Sequence, residues 1–289
     1  MIYFDKIQKS LDYIEENLCE KITLDDLALQ ALCSKFHYHR IFQGLVGYPV
    51  AQYIKQRKLS VAANIILNTN RKITDIAMDF GFNSHAVFDR AFRNFYGLTP
   101  SEYRNRKTPI DLYEKINLIG REFDDNNKCL VIGPKIIQIE RLLLVGKCLC
   151  GTFSDNYQDR IVMNFWNNFL ERIDEIKCKV DSTTAYGVSF DSDYKNSFYY
   201  FAGFEVSSAD EIPEGMMVKE IPTSKYAVFS YKGNEEMKKF YGTLDFIFGN
   251  WLPRSGYELL HEVDMIEVFT DAYKYGDKME YDICIPLKL

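Results

Sequence analysis

The chain has 289 residues, of which 47% are hydrophobic and 26% charged, and its formal net charge is -6. This length and apolar content favour two globular domains over a disordered or fibrous chain. No apolar run reaches the roughly 18 residues that span a bilayer, and the acidic first segment lacks the basic and then apolar plan of a signal peptide. We therefore expect a cytoplasmic protein without a membrane partner.

The seven cysteines include no C-x-x-C pair, which is typical of reduced thiols rather than of disulfides or zinc ligands. Cys148 and Cys150 alternate on one face of a predicted strand, where packing is the expected role. The sequence also offers no phosphate loop, nucleophile elbow or cluster of metal ligands. It therefore predicts no metal, no cofactor and no catalysis as the main activity.

The negative net charge conceals a basic block. Between Gln30 and Lys107 there are 12 Lys and Arg residues against 4 acidic residues, so this block carries +8 and the remainder carries -14. A basic block inside an acidic chain is the electrostatic pattern expected of a protein that binds nucleic acid, with the acidic remainder discouraging non-specific adhesion.

The first element is an amphipathic helix at residues 3–18. Its apolar residues recur at steps of three and four, which is the period of a helix. They are Phe4, Ile7, Leu11, Ile14 and Leu18. Packing on its own domain is the expected use of this face, and a dimer seam is the alternative.

Two helix-turn-helix units follow. In the first, Thr23 caps one helix and Ser34 caps a second helix that reaches Val46. In the second, a helix starting at Ile73 ends at Gly81, and Ser84 caps the next helix. The inward residues expected on that last helix are Val87, Phe88, Ala91, Phe92 and Phe95, and the outward residues are His85, Ala86, Asp89, Arg90 and Arg93.

The two units repeat at an offset of 50 residues. The matched pairs are Ser34 and Ser84, Tyr38 and Phe88, Arg40 and Arg90, Phe42 and Phe92, Gly47 and Gly97, and Tyr53 and Tyr103. Between them, residues 51–67 form one predicted helix of about 25 Å, a strut that fixes the spacing of the units. One chain is therefore predicted to read two adjacent major grooves of double-stranded DNA at an asymmetric site.

Residues 5–106 resemble the DNA-binding domain of the AraC/XylS family of transcription regulators. The residues that carry the likeness are Ile76, Ala77, Gly81, Phe82, Ser84, Phe88, Arg90, Phe92, Gly97, Pro100, Tyr103 and Arg104. Leu32 departs from the family, whose turn usually has glycine there. The resemblance implies that RNA polymerase is a partner and that the regulator is an activator, although the residues themselves do not separate activation from repression.

The resemblance places the DNA-binding residues at the start of each second helix. They are Ser34, Lys35, Phe36, His39 and Arg40 in the first unit, and Ser84, His85, Ala86, Asp89, Arg90 and Arg93 in the second. Arg40 and Arg90 have the chemistry for bidentate contact with guanine, and Phe36 or Ala86 for contact with a thymine methyl. The alternatives are a phosphate contact for Arg40 and a plain surface position for His39.

In the remainder of the chain the sequence pattern changes from helices to strands. Residues 1–107 are predicted as the all-α DNA-binding domain, 108–134 as a linker with one helix, and 135–289 as an α+β domain with an antiparallel sheet. The predicted order there is a duplicated β-α-β-β: strand 136–151, helix 158–176, strands 185–190 and 198–206, then strand 217–231, helix 235–250, and strands 263–269 and 279–286. Such a sheet leaves one face, or the cleft between its halves, for a ligand.

The second domain resembles the GyrI-like effector-binding domain. The likeness lies in this order and in the segments 221–222, 226–229, 251–253, 266–268 and 283–286. It implies a small-molecule effector, often a lipophilic cation, with Glu267 facing the ligand between Met265 and Phe269. The aromatic candidates for the same site are Trp166, Tyr200, Trp251, Phe269 and Tyr281.

Three alternatives stay open for this half of the chain. Glu267 is a solvent-facing residue if the sheet face is exposed. The domain is a small-molecule hydrolase if Glu267 and a tyrosine act as base and proton donor. It is a protein-interaction module if no small ligand binds.

Overall fold

The structure is a computed structural model, and it describes residues 2–118, 134–152, 161–194, 197–233, 237–260, 262–270 and 279–288. The chain divides into two compact units. The first consists of Met1–Leu32 and Ile41–Glu122, and the second of Cys33–Arg40 and Phe123–Leu289. A short piece of the predicted DNA-binding domain therefore packs as part of the second unit.

Seven helices precede the sheet within the described residues. They are α1 (Ile2–Glu16), α2 (Leu24–Gln30), α3 (Lys35–Val46), α4 (Val50–Asn68), α5 (Ile73–Asp79), α6 (His85–Tyr96) and α7 (Pro100–Arg106). Thr23 and Thr99 each form a capping box, with Asp26 and Glu102 as the respective partners. On α1 the residues Ile7, Leu11 and Ile14 are buried, so its apolar face packs on the protein as expected.

The helix-turn-helix repeat is confirmed from the second helix of each unit onward. Helices α3 and α6 start 50 residues apart, and Gly47 and Gly97 end them with φ of +86° and +79°. Helices α2 and α5 start only 49 residues apart, because the first turn is one residue shorter. Leu32 takes the left-handed position of this turn with φ of +51°, where Gly81 has +75°.

The start of the predicted linker follows the helices. Residues 108–118 have no regular secondary structure, but Tyr113 lies 5.9 Å from Tyr53 between ring centroids and its backbone N–H donates to Ser60 Oγ at 2.7 Å. The backbone N–H of the buried Leu118 donates to Gln8 Oε1 at 2.8 Å. These eleven residues contain no helix, and the rest of the segment predicted to hold one lies outside the described residues.

The second unit is an α+β fold. Its strands are β1 (Lys135–Ile139), β2 (Leu142–Thr152), β3 (Ala185–Asp191), β4 (Ser197–Glu205), β5 (Met217–Ile221), β6 (Ser224–Gly233), β7 (Met265–Phe269) and β8 (Met279–Leu287). Its helices are α8 (Ile161–Leu170), α9 (Met237–Phe246) and α10 (Leu252–Ser255), with a π-helical turn at Ile247–Trp251 and a 3-10 turn at Ile173–Glu175.

The eight strands of the described residues form one antiparallel sheet in the order β1-β6-β8-β7-β3-β4-β2-β5. When the order is reversed, each of the strands β1 to β4 takes the place of its counterpart among β5 to β8, and the reverse is also true. The sheet therefore has a pseudo-twofold axis between β3 and β7, which confirms the predicted duplication. Each edge strand, β1 or β5, pairs with the other half of the repeat.

The boundaries inside each half differ from the prediction. The predicted strands 136–151 and 217–231 are each two strands, interrupted at residues 140–141 and 222–223. Glu140 and Arg141 are polar breaks, and Pro222 has no N–H to donate to a ladder. The first helix ends at Leu170, and its predicted continuation is the 3-10 turn at Ile173–Glu175.

The two faces of the sheet have different coverings. Val188, Phe201, Ile266 and Cys284 belong to a buried apolar cluster on one face. On the opposite face Trp166 and Phe169 of α8 pack on the sheet, since the ring of Phe169 lies 6.1 Å from that of Phe204 and the ring of Trp166 lies 5.1 Å from that of Phe269. No helix in the described ranges is long and apolar enough to cross a membrane.

Candidate DNA-reading surface and effector site

Helix α6 is held in place by its aromatic inner face. Phe88 and Phe92 are fully buried, with ring centroids 5.7 Å apart, and Phe82 lies 4.9 Å from Phe88. Ser84 caps the helix, because its Oγ accepts the backbone N–H of Val87 at 3.3 Å. This packing leaves the start of α6 free to face outward.

The predicted reading residues of α6 lie on that outer face. Ser84, His85, Ala86, Arg90 and Arg93 are exposed, and Asp89 is half-buried with its carboxylate 3.4 Å from His85 Nδ1. The sequence prediction was wrong at two inner positions, since Val87 and Phe95 are exposed. Both lie at the edges of the apolar stripe, where Phe88, Ala91 and Phe92 already fill the interface.

The basic block is divided between structural and exposed positions. Arg57 pairs with Glu15 at 2.8 Å, Arg104 donates to the carbonyl groups of Ile66 and Arg71, and Lys58 donates to that of Phe80. Seven of the 12 basic side chains are exposed: Lys55, Arg71, Lys72, Arg90, Arg93, Arg106 and Lys107. These seven are the exposed candidates for phosphate contact within the block.

The start of α3 has a different environment, because Cys33–Arg40 packs in the second unit. Ser34 accepts the backbone N–H of His37 at 3.1 Å, which is an N-cap, and donates its own proton to Asp264 Oδ1 at 2.5 Å. The ring of His37 also bonds the carbonyl group of Asp264 at 2.8 Å. Asp264 is fully buried, and burial raises the pKa of its carboxyl group to about 8.

Lys35 and Phe36 are buried in the same unit. The Lys35 ammonium donates to the backbone carbonyl groups of Ser192 and Tyr194 and lies 3.6 Å from the Asp191 carboxylate. The ring of Phe36 lies 6.4 Å from that of Phe248 in the π-helical turn. Two side chains that were predicted to bind DNA are thus enclosed by protein.

Arg40 is the third. Its exposed fraction is 7%, and its guanidinium lies 5.1 Å from the ring centroid of Tyr241 on α9 and bonds with the Tyr241 side chain. Burial lowers the pKa of Arg40, while Tyr241, Asp245 and Glu267 raise it. His39 is half-buried, and desolvation with the charge of Arg40 lowers its pKa to about 3.

The predicted effector residue Glu267 lies at the pseudo-twofold axis. It is on β7, paired with Gly187 of β3 and Ile283 of β8, and it shares a sheet face with Met265 and Phe269 as predicted. Its exposed fraction is 6%. The reading of Glu267 as a solvent-facing residue is therefore wrong. Burial raises the pKa of its carboxyl group to about 7, against hydrogen bonds from Tyr200 and Tyr281 and the charge of Arg40.

Four of the five predicted aromatic residues gather around this carboxyl group. Tyr200 donates to Glu267 Oε2 at 2.6 Å, and Trp166 donates its indole N–H to the Tyr200 oxygen at 2.9 Å. The Phe269 ring lies 5.1 Å from Trp166 and 4.6 Å from Tyr281. Trp251 packs on Phe229 and Tyr257, and neither contact reaches Glu267.

Gly187 makes the contact between Tyr200 and Glu267 possible. A Cβ atom at this position would collide with the Tyr200 hydroxyl and lie 3.1 Å from Glu267 Oε2. Glycine in a strand often marks such a close approach. Sequence reasoning missed Gly187, Asp264 and Tyr241. A signal was present for Tyr241, because Phe240-Tyr241 repeats Phe165-Trp166 at the equivalent place in the second half.

Two family models match the chain. The model of the GyrI-like small molecule binding domain matches residues 133–288, and a helix-turn-helix domain model matches residues 27–106. The regulator YbfP of Bacillus subtilis is 42% identical over 104 residues, which are 36% of this chain and 35% of YbfP. The chain thus matches about a third of YbfP.

Two further relatives match over most of their own length. The transcriptional activator AarP of Providencia stuartii is 37% identical over 98 residues, which are 34% of this chain and 73% of AarP. The transcriptional regulator Rob of Salmonella typhimurium is 26% identical over 232 residues, which are 78% of each chain. The match to Rob includes residues from both family models.

Proposed function

Because the chain belongs to the AraC/XylS family of transcription regulators and carries a C-terminal GyrI-like small molecule binding domain, we propose that it binds an asymmetric double-stranded DNA site and responds to a lipophilic cation. The cation assignment depends on one observation. A buried carboxyl group, Glu267, lies among the aromatic side chains of Trp166, Tyr200, Phe269 and Tyr281.

Helix α6 supports the DNA assignment. Its capped N-terminal turn and the exposed side chains of His85, Ala86 and Arg90 form a surface of the kind that enters a major groove. Arg90 reads guanine through bidentate hydrogen bonds, and Arg93 contacts a phosphate. Helix α4 has 19 residues and a length of about 28 Å, which suits a second reading helix in the adjacent groove.

A cation suits the Glu267 site for two reasons. An ionised carboxylate attracts a cation strongly in a site from which water is excluded, and the faces of Trp and Tyr rings add cation-π attraction of about 0.5–2 kcal/mol. A cation also favours the ionised form of Glu267, which burial opposes. An apolar cation resolves this conflict with little desolvation cost, because its charge is weakly hydrated.

The regulator acts in the cytoplasm as an activator, with RNA polymerase as a partner. The activator AarP, to which 34% of the chain is similar, supports this part of the proposal. We assign no enzymatic activity to the chain. In a hydrolase Glu267 would be a base, and the hydroxyl hydrogen bond from Tyr200 would then have to exchange for a water molecule.

Titration with two ions of equal shape and opposite charge tests the effector assignment. Tetraphenylphosphonium is expected to bind the intact protein and quench tryptophan fluorescence, because Trp166 lies beside the site. Tetraphenylborate is expected not to bind. At about one hundred times its dissociation constant the cation should add about 2.7 kcal/mol to the apparent stability.

Glu267→Gln keeps the shape of the side chain and removes its charge. This variant should bind the cation at least about tenfold more weakly, a loss of about 1.4 kcal/mol. Glu220→Gln is the matched control, since Glu220 is an exposed carboxylate of the same sheet that pairs with Arg141. Equal affinity of the wild type and Glu267→Gln, or equal binding of both ions, refutes the cation assignment.

A further inference from the structure

The two halves of the sheet supply equivalent walls around Glu267. In the first half Phe165 and Trp166 of α8 face Tyr200, with the ring of Phe165 6.3 Å from that of Tyr200. In the second half Phe240 of α9 lies 6.5 Å from Tyr281. Because α8 and α9 occupy matching places in the repeat, Tyr241 is the counterpart of Trp166.

The carboxyl group joins the two walls. Both Tyr200 and Tyr281 donate hydrogen bonds to Glu267. On the first wall the indole N–H of Trp166 completes a chain of hydrogen bonds through Tyr200. The second wall differs, because the ring of Tyr241 is covered by the guanidinium of Arg40 at 5.1 Å.

Arg40 therefore provides the features expected of a bound cation. It is buried, it lies over an aromatic ring, and its charge acts on the carboxyl groups of Glu267 and Asp245. The guanidinium also lies 5.4 Å from the ring centroid of Phe36. A guanidinium in contact with two aromatic rings and acted on by a buried carboxyl group resembles a planar, weakly hydrated cation in an aromatic site.

We propose that Arg40 is the internal cation of the effector site, and that an external lipophilic cation displaces it from Tyr241 and frees the start of α3 for DNA. This inference rests on the proposed function and adds the means of regulation. The side chain that reads DNA and the side chain that fills the site are the same, so both events cannot occur together at Arg40.

The contacts around Arg40 leave one polar atom unsatisfied. Within the described residues, Arg40 Nε is buried and has no hydrogen-bond partner. A buried donor or acceptor without a partner lowers the stability of the state that contains it. The arrangement is thus less favourable than a fully paired core, as expected of a contact that a ligand must be able to break.

Linkage makes the coupling reciprocal. If the cation favours release of Arg40, then DNA that engages α3 must increase the affinity for the cation by the same factor. Removing the internal cation has the same effect on cation binding, because the external ligand no longer has a competitor. If Arg40 leaves the site free for one fifth of the time or less, its removal should raise the affinity for the cation at least about fivefold.

Tetraphenylphosphonium titrations of four intact proteins test this inference. Arg40→Met keeps the length of the side chain and removes its charge, and it should bind the cation at least about fivefold more tightly than wild type. Arg141→Met, which removes an exposed arginine paired with Glu220, should bind as wild type does. Glu267→Gln should bind weakly.

The variants separate the inference from the function on which it rests. Wild-type affinity in Arg40→Met, with weak binding in Glu267→Gln, overturns the role of Arg40 and leaves the cation site intact. Equal affinity of Glu267→Gln and wild type overturns both, and so does absence of binding in wild type and Arg40→Met alike. Binding by Arg40→Met alone supports both.

Hydrogen exchange of the wild type supplies a measurement that needs no variant. Tetraphenylphosphonium should speed the amide exchange of peptides that cover residues 33–40 and leave those that cover residues 85–96 unchanged. Tetraphenylborate should change neither. Unchanged exchange at 33–40 with the cation bound overturns the release of α3, even when Arg40→Met fails to fold.

Discussion

Helices α3 and α6 are copies of one repeat with opposite environments. Ser34 and Ser84 both cap their helices, yet the hydroxyl of Ser34 also donates to a buried carboxyl group while Ser84 is exposed. Arg40 and Arg90 occupy the same position of the repeat. Arg40 is enclosed by the aromatic and acidic side chains of the second unit, whereas Arg90 is exposed.

The difference shows that a helix face predicted to read DNA can also be covered by protein. Lys35 donates a hydrogen bond to a backbone carbonyl group and pairs with the carboxylate of Asp191. The charge of Arg40 interacts with the carboxyl groups of Asp245 and Glu267. These are negative or oxygen-rich groups, as phosphates and guanine edges are. At one of the two copies, oxygen-rich groups of the second unit thus contact the residues that were predicted to bind DNA.

The largest expected effect is a fall in stability with rising pH, which arises from two buried carboxyl groups of the second unit. Burial raises the pKa of Asp264 to about 8 and that of Glu267 to about 7, so both stay protonated in the folded chain at a pH where the unfolded chain has lost the protons. Their stabilisation is complete below the unfolded pKa values and is lost as pH rises through 7 and 8. Between pH 6.5 and 8 stability should fall by about 1.4 kcal/mol per pH unit for each carboxyl group still protonated.

This window avoids a contribution of opposite sign. Since the pKa of His39 is lowered to about 3, that residue changes stability only below its unfolded value of 6.5. Both tryptophans, Trp166 and Trp251, lie in the second unit, so fluorescence-detected urea unfolding reports on that unit. Asp264→Asn should flatten the pH dependence, and an unchanged slope in this variant contradicts the assignment.

The two capping serines provide the next largest contrast. Ser84→Ala should cost about 1 kcal/mol, which is the value of a helix cap. Ser34→Ala should cost about 2–4 kcal/mol, because it removes the cap and also takes a partner from the buried Asp264. Urea unfolding followed by circular dichroism and by tryptophan fluorescence measures both. Equal losses at the two serines indicate that the Asp264 contact adds no stability.

The paired arginines test the comparison on DNA. Arg90→Ala should cost about 1–3 kcal/mol in binding and relax specificity at one base pair. Arg40→Ala should cost less without a cation, because Arg40 is buried away from DNA in that state. Titration of labelled DNA at fixed salt compares them. A larger loss for Arg40→Ala than for Arg90→Ala, without a cation, refutes the difference between the copies.

Salt dependence adds an independent measure of the same contrast. If each of the seven exposed basic side chains in the block neutralises one phosphate, the slope of log K against log salt should be about -6. Adding tetraphenylphosphonium should steepen the slope as Lys35 and Arg40 become available. A slope that stays the same when the cation is bound shows that no further phosphate contacts form.

Much of the fold follows from short-range pattern. The capped helices, the repeat at 50 residues and the duplicated sheet were predicted because caps, periodicity and repetition are local signals. Burial at the edges of a pattern is not local, so Val87 and Phe95 were assigned to the core although nearby rings had already filled it. The hairpin breaks near Glu140 and Pro222 were missed because each is only two residues long and lies between two apolar segments.

The candidate sites show the same limit. Glu267 and four of its five aromatic neighbours were predicted from the resemblance and from alternation along strands. The burial of Lys35, Phe36 and Arg40 was beyond such reasoning, because it depends on residues more than 150 positions away in sequence. From sequence alone a charged helix face is predicted to be exposed, and only the structure shows that other residues cover it.

The smallest expected effect concerns the turn that differs between the copies. Leu32 is exposed and has φ of +51°, which costs a side-chain residue about 1–2 kcal/mol, whereas Gly81 takes the equivalent conformation without that cost. Leu32→Gly relieves the strain but adds entropy to the unfolded chain, so the net gain should be about 0.5 kcal/mol. Gly81→Ala is the converse change and should destabilise by about 1 kcal/mol, although its Cβ would meet only the end of Lys58. Thermal unfolding of both variants measures the pair. A loss of stability in Leu32→Gly means that contacts of the leucine side chain stabilise the turn by more than its backbone strain costs. The difference between the two turns then lies in side-chain contacts rather than in backbone conformation.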